Sequence, residues 1–233
     1  MSNILIVESK NDKCFVEALV THLNLQNISI DEPICRIDDF ECLNGVHQAK
    51  ITDTLKALKA DLIKKDVQKV GIILDHDSRP EEKSKWINEA IAQVFDPRQQ
   101  VTHPGEFIPV SINVDGIDLN FSLAYFLTQV DAKGELETLL KAIKAQPSLY
   151  ADCLENWKNC VEDQGGKITD KDFDKFWVNN YIRFDTCSEE EKKQAARKCS
   201  MNAFEYVMTH KPDIWNLDHS LLDDFKAFLT LFV

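Results

Sequence analysis

Within its first hundred residues the chain repeats one pattern three times: a short continuous apolar run, then a stretch whose apolar residues recur at helical spacing. NILIV (3–7) and VGIIL (70–74) are the clearest runs. Both are rich in branched residues and neither alternates with polar ones, as expected of strands buried on both faces. After the first run, Phe15, Val16, Leu19, Val20 and Leu23 share one helical stripe, with Asn11 or Asp12 as the cap. A second strand is expected near residues 34–37, after Pro33, and a helix over 48–64 carries Ile51, Leu55, Leu58 and Leu62. Ser78 and Pro80 are start signals for a third helix with Trp86, Ile87, Ala90, Ile91 and Val94 inward. Strand and helix in alternation predict an α/β fold: a mostly parallel central sheet with flanking helices and right-handed crossovers.

FIPVSINV, Asp115-Gly116 and IDLNFSLAYFL then read as a hairpin, because Asp-Gly favours a tight turn, or else as one strand followed by a loop. From Gly134 the periodicity is helical, over 135–145, 148–161, 172–182, 188–199 and 220–232. The expected organisation is an α/β domain over 1–130 and a helical C-terminal part over 131–233 packed on it. Trp157, Trp177 and Trp215 are expected in the core of the helical part.

The net charge of −12 argues against a general binder of phosphate backbones, which relies on clustered Lys and Arg. A local basic groove for nucleic acid, or a divalent metal bridging acids to phosphate, stays open, as does a protein partner. No apolar run approaches the roughly 20 residues that span a bilayer, and no basic leader is visible, so a cytoplasmic protein without a membrane contact is expected. The seven cysteines include no CxxC pair, so reduced thiols are expected rather than a disulfide framework or zinc site. No Walker loop occurs. The oligomeric state is not encoded in any pattern we can read.

The runs end in acids. Glu8 follows the first, and Asp75 and Asp77 follow the third. Ligands of parallel sheets bind at the carboxyl ends of strands, and Asp75 and Asp77 share a face if the strand continues through them. Carboxylates gathered there make an all-oxygen site suited to Mg²⁺ or Mn²⁺. The plainer reading is loop acids or helix caps. His76 falls on the opposite face and reads as structural, and Asp218-His219-Ser220 reads as a helix cap, since adjacent residues do not form a hydrolase triad.

Glu8-Ser9-Lys10-Asn11-Asp12 after one strand, with Asp75-His76-Asp77 after another, resembles the Toprim domain of topoisomerases, primases and small nucleases. The resemblance covers roughly residues 3–130. The remainder, with Gly134-Glu135-Leu136-Glu137 and Trp215-Asn216-Leu217-Asp218, looks like stand-alone Toprim-like proteins of prokaryotes. The resemblance implies a Mg²⁺-dependent phosphoryl-transfer enzyme, a nuclease acting on DNA or RNA. Glu8 would act as general acid or base or as a metal ligand, and Asp75 and Asp77 would coordinate the metal. Lys10 and Arg79 would meet phosphate, Glu137 would complete the metal site, and Asp12 would cap a helix. Two departures stand out. Ser9 replaces the usual Gly, and Arg79 stands where topoisomerases carry a third acid. The alternative is a non-catalytic module that keeps the acids as a metal or nucleotide site.

Overall fold

Strands β1 (Ser2–Val7), β2 (Ile28–Ile30), β3 (Val67–Asp75), β4 (Ile108–Val114) and β5 (Ile117–Thr128) form one sheet. Their order is β2-β1-β3-β5-β4. The computed structural model describes residues 2–35, 46–76, 80–131 and 134–233. The β1–β2, β1–β3 and β3–β5 pairs are parallel, and β4–β5 is antiparallel. The sheet is therefore mostly parallel, as the alternating pattern predicts. The hairpin turns through Asp115 at φ 52° and Gly116 at φ 83°. A two-residue turn with both φ positive matches the twist of the strands it joins.

The second strand lies earlier than expected, at Ile28–Ile30 rather than 34–37. Residues 36 and 37 lie outside the described part. Beyond β2 the chain still runs beside β1: Asp31 N–H donates to Leu5 O at 2.9 Å and Ile34 N–H to Val7 O at 3.0 Å. Pro33 between them has no N–H to donate, so a regular ladder does not continue.

Helices α1 (Lys10–His22), α2 (Gln48–Leu62) and α3 (Pro80–Val94) flank the sheet. Ile51, Leu55, Leu58 and Leu62 of α2, with Ile87, Ala90, Ile91 and Val94 of α3, share a core with Ile4, Ile6, Val70, Ile72 and Leu74. The alternate residues of the strands face the other way. There Phe225 lies 6.2 Å from Phe15 of α1 and 4.8 Å from Phe126 of β5, between ring centroids.

The chain divides into two units, residues 1–128 with 224–233, and residues 129–223. The last ten residues thus belong with the sheet, whereas the sequence reading groups all of 131–233. Phe225, Phe228 and Phe232 of this closing segment are each at most 3% exposed, which accounts for its placement.

The second unit contains α4 (Leu136–Ala142), α5 (Leu149–Asp152), α6 (Leu154–Asp163), α7 (Asp170–Asn180), α8 (Glu189–Lys192), α9 (Ala195–Lys198) and α10 (Phe204–His210). The stretch expected as a helix over 148–161 divides between α5 and α6, and that over 188–199 between α8 and α9. Trp177 and Trp215 are buried as expected; the ring of Trp177 stacks on Tyr181 at 5.2 Å and that of Trp215 meets it tilted at 5.3 Å. The Tyr181 hydroxyl donates to Ile214 O at 2.9 Å and accepts from Gln146 N–H at 3.1 Å. Trp157 departs from expectation: it is 45% exposed, because α6 buries none of its residues. His219 caps as expected, its ring nitrogen accepting from Leu221 N–H at 3.1 Å.

The expectation of reduced thiols is overturned. Cys187 and Cys199 form a disulfide, and Cys35 is disulfide-bonded too. Between the first two, α8 and α9 fold the chain back so that the Cα atoms stand 6.2 Å apart, within the range a disulfide spans. Cys14, Cys153 and Cys160 are thiols. Among the described residues no helix is long and apolar enough to cross a membrane.

Candidate acidic site at the strand ends

β1 and β3 are neighbours in parallel register, with Val7 paired to Ile73. Glu8 therefore leaves β1 beside the last residues of β3. Glu8 and Asp75 are each 9% exposed. The Asp75 N–H donates to Glu8 Oε2 at 3.2 Å, joining the two strand ends. The pleat sorts the two side chains: Glu8 follows the parity of Ile4 and Ile6, toward α2 and α3, and Asp75 that of Gly71 and Ile73, toward α1.

A third residue, not found from the sequence, completes this arrangement. Lys83 Nζ lies 2.9 Å from the same Glu8 Oε2, with the lysine only 3% exposed. A buried charge is costly unless paired and hydrogen-bonded, and here one carboxylate oxygen accepts from both an ammonium and an amide. The signal is present in the spacing. Lys83 stands four residues before Ile87, seven before Ala90 and eleven before Val94, on the inward stripe of α3. A cation on an apolar stripe calls for a buried anion.

Ser9, expected as a departure, has a local task. It is the N-cap of α1 and forms a capping box with Asp12. Its N–H donates to Asp12 Oδ2 at 2.9 Å, and Asp12 N–H donates to Ser9 Oγ at 3.3 Å. The cap is thus Ser9 rather than Asn11 or Asp12, because only Ser9 has the extended backbone that places its oxygen over the third helical amide. Asp12 serves the helix start. Lys10 is exposed and opens α1.

Asp77 and Arg79 lie outside the described residues. His76 continues the backbone ladder, its N–H donating to Thr128 O at 2.9 Å. Glu137 belongs to the second unit, in the first turn of α4. Burial pushes its carboxyl above the ordinary value, against the pull of the Lys175 ammonium. Its neighbour Glu135 pairs with Lys171 and, at 3.3 Å, with Lys175. The structure therefore unites Glu8 and Asp75 and adds Lys83.

Carboxylate oxygens at strand ends have the chemistry that Mg²⁺ prefers. Among the described residues, however, no group of three or more His, Cys, Asp or Glu is placed to hold a metal ion. Glu8 Oε2 is engaged by Lys83 and the Asp75 amide.

A family described as "Protein of unknown function (DUF3226)" matches residues 2–233, and the chain belongs to it. No curated protein and no solved structure matches the chain.

Proposed function

We propose that this member of the DUF3226 family is a Mg²⁺- or Mn²⁺-dependent phosphoryl-transfer enzyme on a Toprim-like fold, a nuclease that cuts phosphodiester bonds in DNA or RNA. The observation that carries this reading is the junction of Glu8 and Asp75, two buried acids at the carboxyl ends of adjacent parallel strands, linked at 3.2 Å. Strand ends of parallel sheets are where such folds place ligands. Asp75, with Asp77, would hold the cation, which when bound supplies positive charge at a phosphoryl oxygen. Glu8 would take the proton from the attacking water or hydroxyl through the oxygen not held by Lys83. Lys10, exposed at the start of α1, and Arg79 would meet the phosphates. With a net charge of −12, nucleic acid would be held at such a local site rather than by the whole surface. Glu137 lies in the second unit. A cytoplasmic location belongs to the same reading.

A second reading, a non-catalytic binding module, is favoured by one feature: Glu8 Oε2 already accepts from two donors, as a purely structural ion pair would. The deciding experiment incubates the protein with Mg²⁺ or Mn²⁺ and mixed DNA and RNA substrates, beside Glu8→Gln. Metal-dependent cutting that is lost in Glu8→Gln is expected. A folded, metal-binding protein that cuts nothing would transfer the case to the binding module.

A further inference from the structure

We propose that Cys187 and Cys199 are a reversible redox pair, a dithiol that hydroperoxides convert to the disulfide, with Cys187 as the reactive sulfur and Lys211 as the cation that holds its thiolate. The three residues lie in the second unit, and the proposal makes no use of the acidic site. The Lys211 ammonium carries three N–H bonds. It donates to Thr186 O at 2.8 Å and to Glu191 Oε2 at 2.9 Å, and its third contact is Cys187 Sγ at 3.1 Å. The two oxygens fix the ammonium against the sulfur, and the lysine side chain is only 12% exposed. A disulfide sulfur is a weak acceptor and gains little from such a neighbour. A thiolate in the same place gains a charge-assisted hydrogen bond. The arrangement is thus matched to the reduced form rather than to a bond that only staples the chain.

The two sulfurs differ in access and in company. Cys187 is 7% exposed and Cys199 1%, so a small oxidant meets Cys187 first. The neighbours of its sulfur are the Lys211 ammonium and, at 3.8 Å, the Lys198 carbonyl. Glu191 is the opposing charge: it shares the ammonium and moderates its pull on the sulfur. An ordinary cysteine, with a pKa of about 8.5, is only a few per cent thiolate at pH 7, and an adjacent cation raises that fraction. The Cys187 thiolate attacks one oxygen of the hydroperoxide and the O–O bond breaks. The departing alkoxide takes the proton that the thiol released, and Cys187 is left as a sulfenic acid. The Cys199 thiol, its Cα 6.2 Å from that of Cys187, then attacks the sulfenic sulfur; the S–S bond forms and water leaves. Two thiols and one hydroperoxide thereby give one disulfide, one alcohol and one water. A small dithiol reverses the change. One of its sulfurs attacks Cys187 and Cys199 departs as the thiol; the other then closes the reagent's own disulfide and frees Cys187 to Lys211.

The test uses the full chain, reduced with dithiothreitol, desalted and exposed to hydrogen peroxide at pH 7, with each thiol followed by alkylation and peptide mass spectrometry. Cys153 and Cys160, both exposed thiols, are the internal controls. Cys187 should oxidise about tenfold faster than either, although it is far less open. In Cys199→Ser the sulfenic acid should persist on Cys187 and be trapped by dimedone. In the wild type dithiothreitol should restore both thiols. Lys211→Met should slow oxidation of Cys187 about tenfold, whereas Lys211→Arg should keep most of the rate. The wild-type comparison with Cys153 and Cys160 decides the matter even if Lys211→Met fails to fold. Oxidation of Cys187 no faster than that of the two exposed thiols would overturn the proposal, as would an unchanged rate in a folded Lys211→Met. A reduced wild type that loses its near-ultraviolet circular dichroism would also overturn it, since the bond would then be structural.

Discussion

Gly71 lies against the ring of Phe232: a Cβ at this position would stand 2.5 Å from Phe232 Cζ and 2.7 Å from Leu5 Cδ2. Gly71 is at the centre of β3, and Phe232, with no exposed surface, belongs to the C-terminal segment of the sheet unit. The missing side chain makes the slot in which the C-terminal segment seats. Two further links hold that segment to the sheet, from the Asn3 side-chain amide to Phe232 O and from the Lys69 ammonium to Leu231 O. Overpacking such a site costs about 1–3 kcal/mol, and removing a buried Phe side chain about 3–5 kcal/mol. Gly71→Ala and Phe232→Ala should each destabilise by these amounts in urea melts. The double variant should lose less than their sum, because the added methyl group then has space where the ring stood. Strict additivity would mean that the Leu5 contact, not Phe232, sets the cost.

The Glu8–Lys83 pair has an asymmetric energetic signature. Removing one partner leaves a buried, uncompensated charge, which costs about 3–5 kcal/mol, whereas replacing both by neutral side chains is often close to neutral. Lys83→Met should therefore be strongly destabilised in chemical denaturation near neutral pH, and Glu8→Gln/Lys83→Met should regain most of the loss. If the double variant were as unstable as Lys83→Met, the penalty would arise from lysine packing rather than from charge.

The parts of the fold legible in the sequence are those where one strong local signal acts alone. NILIV and VGIIL form β1 and the core of β3, and Asp115-Gly116 forms the hairpin turn. The position of β2 is not legible because its three residues, ISI, are too short to show a pattern, and its partner β1 determines where pairing begins. The helix expected over 220–232 is found at Asp223–Thr230, but the unit it joins is not legible. Periodicity reports which face is apolar and not which surface it meets. At the site, Glu8 and Asp75 are legible because acids ending apolar runs are visible one strand at a time. Lys83 is not, since its meaning depends on a partner 75 positions away. The Cys187–Cys199 bond escapes for the same reason, since spacing alone does not show the backbone reversal between them.

That disulfide sits beside a cation. Lys211 Nζ is 3.1 Å from Cys187 Sγ and 2.9 Å from Glu191 Oε2. Closing a loop between residues 12 apart stabilises by about 3 kcal/mol in the chain-entropy account. Reduction, or paired replacement of both cysteines by serine, should lower stability by about that amount, read in melts with and without a thiol reductant. A nearby ammonium favours the thiolate, so it favours the reduced state. Lys211→Met should therefore need more dithiothreitol to half-reduce this disulfide than the wild type, as followed by alkylation and mass spectrometry. An unchanged midpoint would show that Lys211 acts only as the partner of Glu191.

Glu137 offers a prediction with a sign. Burial raises its carboxyl, opposed chiefly by the Lys175 ammonium, so the folded chain holds this proton more tightly than the unfolded chain. A carboxyl raised in this way contributes stability that is fully present below the ordinary glutamate value of about 4.3 and is lost as pH rises through the folded value. Glu137→Gln does not ionise, so it should melt higher than the wild type near pH 7, and the two should converge near pH 4. Glu135→Gln is the informative contrast. It removes a carboxylate paired with Lys171 and Lys175, and should lower the melting temperature near pH 7 instead. If Glu137→Gln melted higher by the same margin at both pH values, its advantage would lie in the uncharged hydrogen bonding of the amide and not in the cost of a buried charge.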